Sequence, residues 1–98
     1  MKLSFQESDP KKVLESIEQI LEGRKLNDMV SFSLKGQDLI LIISKLGKST
    51  VSFKYEEEGG GFSWTSVKEK IAFSHKAFKG EVMGKLVKVV EKAGGSAD

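Results

Sequence analysis

The chain has 98 residues, 39% hydrophobic and 31% charged, with a net charge of +2 and no cysteine. That balance excludes a disordered chain, and the length gives one small domain with a core of its own. The absence of cysteine excludes disulfides and thiolate chemistry, and the mild basicity is far from the concentrated charge that makes nucleic acid the leading partner.

Residues 1–6 alternate, with Met1, Leu3 and Phe5 on one side and Lys2, Ser4 and Gln6 on the other, which predicts a short half-buried strand. Asp9 can cap a helix whose first position is Pro10, where the missing N–H costs nothing. Val13, Leu14, Ile17, Ile20 and Leu21 then recur at helical spacing, so a helix is predicted over 9–22 with Gly23 as its stop.

After a polar link at 24–28 the period changes to two. Val30, Phe32 and Leu34 alternate with Ser31, Ser33 and Lys35, and KGQD makes a tight turn. The run 39–43 is apolar on both faces, which predicts a central or doubly covered strand. It is also the longest apolar run, far too short to span a bilayer. LGK turns the chain again, and Val51, Phe53 and Tyr55 alternate with Ser52, Lys54 and Glu56. EEEGGG closes a loose hairpin. Connections this short make the strands antiparallel.

In the following strand Phe62 and Trp64 share one parity, while Val67, Ile71 and Phe73 share the other. Either one extra residue near Thr65 and Ser66 bulges the strand, or the strand ends at Ser66 and a new one begins. The last segment is helical: Val82, Met83, Leu86, Val87 and Val90 form its stripe, and Glu81 faces Lys85 in the favourable i,i+4 order. Val89 falls outside that stripe and is assigned to a sheet edge or a partner. Gly94 and Gly95 stop the helix. The expected fold is α+β: a twisted antiparallel sheet of about five strands with two helices on one face, in one domain over 1–93 with a flexible tail at 94–98.

The stretch GEVMGK, at 80–85, has the look of a phosphate loop. Such a loop needs four residues between its glycines and a hydroxyl after the lysine. Here three intervene and Leu86 follows, so the stretch reads as a turn at 77–80 delivering a helix, with Gly84 allowing close approach to the sheet. The GGG at 59–61 follows glutamates that would repel phosphate, and reads as a mobile hairpin tip. His75 is the only histidine. It has no second histidine or cysteine to share a transition metal, and the contiguous glutamates 56–58 diverge along a strand, so no metal is expected. No constellation supports catalysis, and no cofactor is expected.

Tyr55, Phe62 and Trp64 lie on neighbouring strands around one turn. They read as core, or as an apolar patch for a lipid-like ligand or surface. Lys76, Lys79, Lys85, Lys88 and Lys92 make the C-terminal segment basic. They read as a solvated face, or as contact with an anionic surface.

The layout resembles the small bacterial polyhydroxyalkanoic acid system proteins, which associate with polyester storage granules. The likeness runs over residues 1–93 and is carried by the opening strand and helix, by GQDLILIISKLGKSTVSF, and by AFKGEVMGKLVKVV before the closing helix. The family's first helix is usually richer in arginine and alanine than KKVLESIEQILEG. The resemblance implies that Phe78, Lys79 and Gly80 form the turn seating the last helix, and that Leu86 and Val90 are its core contacts. It carries over no catalytic residue, and it implies a distant likeness to helix-grip folds, whose curved sheet wraps a long helix and often encloses an apolar cavity.

These readings lead to a non-enzymatic binding or association module for granules or another apolar, lipid-coated surface. Tyr55, Phe62 and Trp64 would supply apolar contact, and the lysines charge. One alternative is a carrier of a small hydrophobic ligand held near Met83 and Val87. Another is weak nucleic-acid binding through the C-terminal lysines; base stacking on Tyr55, Phe62 and Trp64 is disfavoured by their acidic flanks. An exposed strand edge would allow two copies to pair. MKLSFQES lacks the apolar stretch of a signal peptide, so the expected compartment is the cytoplasm.

Overall fold

A computed structural model describes residues 1–23, 30–44, 47–72, 76 and 79–98, with only the backbone of Lys79. The polar link at 24–28, Leu46 of the LGK turn, Phe73, His75, and Ala77 and Phe78 of the turn before the last helix lie outside the described residues. The elements are β1 (Lys2–Phe5), α1 (Pro10–Gly23), β2 (Val30–Lys35), β3 (Asp38–Ile43), β4 (Ser49–Glu58), β5 (Gly61–Lys70), α2 (Lys79–Lys92) and β6 (Gly95–Ala97). The fold is α+β, as the sequence leads one to expect. One antiparallel sheet of six strands runs in the order β2-β3-β4-β5-β1-β6.

Helix α1 begins where its cap dictates. The Lys11 amide donates to Asp9 Oδ1 at 3.0 Å, and the Lys12 and Val13 amides donate to the Asp9 carbonyl. Val13, Ile17 and Leu21 are buried and share one core with Leu86, Val89 and Val90 of α2 and with Leu3, Leu39, Leu41, Val51, Phe53 and Trp64 of the sheet. Both helices therefore lie on one sheet face; α1 packs against α2 and β2, and α2 against β6.

Strand β5 is continuous, and the phase conflict is resolved by a bulge. Phe53 faces Ser66 while Ser52 faces Lys68, so Val67 is the extra residue. It is 62% exposed. The register it shifts turns Ile71 back onto the core, as one inserted residue must.

Several expectations are corrected. The sheet has a sixth strand because residues 95–97 do not trail free. Gly94, at φ 90°, turns the chain back, and β6 pairs with β1 as Leu3 with Ala97, Ser4 with Ser96 and Phe5 with Gly95. A Cβ at Gly95 would stand 2.5 Å from the Phe5 ring, so glycine lets the two strands close. The β4–β5 hairpin is tight rather than loose. Glu58 faces Gly61 across a two-residue turn in which Gly59 and Gly60 both have positive φ, the geometry that matches strand twist. A Cβ at Gly61 would collide with the Phe5 carbonyl oxygen. Gly84 is exposed and meets nothing within 4 Å, so it does not bring α2 close to the sheet. Val89 is fully buried in the core rather than at an edge. Strand β3 is one in from an edge, and its second face, Ile40 and Ile42, stays partly exposed.

Candidate functional site

The aromatic residues do come together, but inside the molecule. The Phe62 ring lies 4.8 Å from Trp64, 5.3 Å from Phe5 and 5.4 Å from Tyr55. Trp64 and Phe62 are 0% and 1% exposed, so the surface-contact role expected of them is corrected to a core role. The cause is position. β4 and β5 are the middle strands, and their alternate residues point under the helices. The Trp64 Nε1–H donates to the Gln37 carbonyl at 2.8 Å, and the Tyr55 amide donates to Asp38 Oδ1 at 2.9 Å. These two bonds tie the tip of the β2–β3 hairpin over the cluster and satisfy its one buried indole donor. Tyr55 sits at the rim, half-buried.

Met83 and Val87 are half-buried on α2, and Met83 packs against the core. The inner face of α2 is occupied by Leu86, Val89 and Val90, all buried. A ligand between α2 and the sheet would have to displace them.

The lysines are arranged differently. Lys85, Lys88 and Lys92 are all exposed. Spacings of three and four put them on one stripe of α2, away from Leu86 and Val90. Lys85 Nζ lies 3.4 Å from Glu81 Oε1, the pair expected from sequence, with both side chains at least half exposed. Lys76 is exposed just before the helix, and the Lys79 side chain lies outside the described residues. The stretch 80–85 is helix rather than loop, which removes the shape a phosphate cradle requires. Among the described residues, no group of three or more histidine, aspartate and glutamate residues could hold a metal ion.

On the sheet face away from the helices, Lys2 Nζ donates to Glu58 Oε2 at 2.8 Å. The hydrogen bond from Lys2 holds the Glu58 carboxyl below its ordinary range, and the same bond raises Lys2.

One recess escaped the sequence reading. A cleft of about 190 Å³ opens between α1 and β2, lined by Glu18, Leu21, Glu22, Val30, Ser31 and Phe32. Its signals in the sequence are weak: two glutamates four apart on the first helix, and a strand whose alternation gives no hint that it stands at an edge.

Among the described residues, no helix is long and apolar enough to cross a membrane. The fold and surface define an α+β domain with a closed aromatic interior and a basic helix face. Comparison with family models, with curated proteins and with solved structures returns no match.

Proposed function

We propose that the protein is a non-enzymatic association module that sets α2 against an anionic surface, such as the phospholipid coat of a polyester storage granule. The observation that carries this reading is the exposed stripe Lys85, Lys88 and Lys92, with Lys76 just ahead of it. The Lys85–Glu81 ion pair is solvent-exposed and contributes little, so Lys85 still presents its charge outward. The resemblance to granule-associated proteins supplies the kind of surface. Apolar contact is left to half-buried residues of α2, Val87 among them.

Sedimentation with vesicles tests the reading. Each lysine near an anionic bilayer contributes about 1 kcal/mol. Binding to vesicles rich in phosphatidylglycerol should therefore fall roughly 100-fold when Lys85, Lys88 and Lys92 all become glutamate, and should weaken steeply with salt. Equal binding to neutral phosphatidylcholine vesicles would defeat it. Retention on duplex DNA stronger than on the vesicles would transfer the same lysines to a nucleic-acid role.

A further inference from the structure

A second site lies at the other end of the sheet and is independent of the lysine stripe. We propose that the free edge of β2, together with the cleft under α1, takes an extended segment of a partner protein whose residues alternate between apolar and basic, added to the sheet as a further strand.

The backbone argument begins at the β2–β3 hairpin. Lys35 and Asp38 face each other across the two-residue turn of Gly36 and Gln37, with Gly36 at φ 66°. The residues flanking such a turn exchange both main-chain hydrogen bonds, and the pattern then alternates along the strand. Ser31, Ser33 and Lys35 thus bond to β3, while the N–H and C=O groups of Val30, Phe32 and Leu34 face the open edge. The Tyr55 amide fits this phase: it points toward β3 beyond the strand's end and finds the Asp38 carboxylate instead. Among the described residues, no proline or bulge protects this edge. It has six residues, VSFSLK, with no proline or glycine and one charge, at its end. At the opposite edge, β6 is only three residues, GSA.

The side chains fit the same occupant. Val30, Phe32 and Leu34 are only half-buried, whereas Leu39, Leu41 and Ile43 beside them on β3 are at most 5% exposed. The apolar face of β2 is therefore short of a neighbour. The cleft beside it has an apolar floor of Leu21, Val30 and Phe32 and a rim of Glu18 and Glu22, both exposed. A lysine or arginine on the added strand would lay its aliphatic stem on that floor and its charge between the two carboxylates. This is strand addition in which main-chain bonds give affinity and a pocket for alternate side chains gives specificity. The acidic rim disfavours a second copy of this chain, since pairing β2 with β2 would set two such rims along one shared groove.

A fluorescent ten-residue peptide alternating valine and lysine, titrated into the intact protein, tests the proposal, with a valine–glutamate peptide as control. The valine–lysine peptide should bind, shifting the amide resonances of Val30, Phe32 and Leu34 and slowing their hydrogen exchange. The double variant Glu18→Lys, Glu22→Lys, made at exposed positions, should lose at least tenfold in affinity at unchanged thermal midpoint. It should keep its affinity for anionic vesicles, which separates this site from the lysine stripe. No binding, equal binding of the glutamate peptide, or shifts confined to α2 or β6 would overturn the proposal. So would sedimentation of the free protein as a dimer with its β2 amides protected, which would assign the edge to a second copy.

Discussion

The aromatic cluster and the lysine stripe sit on different elements and behave as opposites. Phe62 and Trp64 are closed inside the sheet, with the Trp64 indole tied to the Gln37 carbonyl, while Lys85, Lys88 and Lys92 stand open on α2. In the sequence the two groups read as halves of one surface, apolar contact plus charge. The structure separates them, because middle-strand residues pack under helices and the outer stripe of a terminal helix does not. Any attraction to an anionic surface must then work without the large aromatics.

Variants can break or sharpen that contrast. The largest effect is expected at Trp64: Trp64→Ala should cost about 3–5 kcal/mol of stability in urea unfolding, while the fraction that remains folded binds vesicles unchanged. The triple change of Lys85, Lys88 and Lys92 to glutamate should do the reverse, removing about 3 kcal/mol of vesicle affinity at nearly constant unfolding midpoint. Gly95→Ala places a Cβ against the Phe5 ring and should cost roughly 1–3 kcal/mol; a neutral result would mean that β6 does not hold β1. Gly84→Ala, at an open helical position, should gain about 0.5–1 kcal/mol and leave surface binding alone.

The smallest effect belongs to the exposed Lys2–Glu58 pair. Glu58 is held below its ordinary range, so its contribution is present above that range and is lost as pH falls through the lowered value. Lys2 is raised, so its contribution is present below the ordinary ammonium range and is lost only as pH rises through the higher value. Glu58→Gln should therefore lower stability slightly at neutral pH and leave it unchanged in acid, which flattens the acid limb of the stability curve.

Much of the fold was legible because local signals agreed. The Asp9–Pro10 cap, the α1 stripe and the alternation of β4 all point one way. The bulge could be posed but not decided, since both parities of β5 carry large apolar residues and only the pairing of Phe53 with Ser66 settles the register. Strand β6 was hidden: GSA has no strand propensity, and it pairs because Gly95 fits over Phe5, a long-range fact. The glycines misled in the same way. Gly84 was assigned a close contact it does not make, while Gly61 and Gly95 make close contacts with Phe5 that no local pattern announces. The α1–β2 cleft depends on which strand stands at the edge, and strand order is not written in alternation.

The most direct measurement is a titration of the protein with phosphatidylglycerol vesicles, following sedimentation and the emission of Trp64, its only tryptophan, together. The protein should move into the vesicle fraction while the Trp64 emission maximum stays where it is in the free protein. An emission shift that tracks binding would mean that the aromatic cluster opens onto the surface, contradicting the separation of a closed core from a charged face.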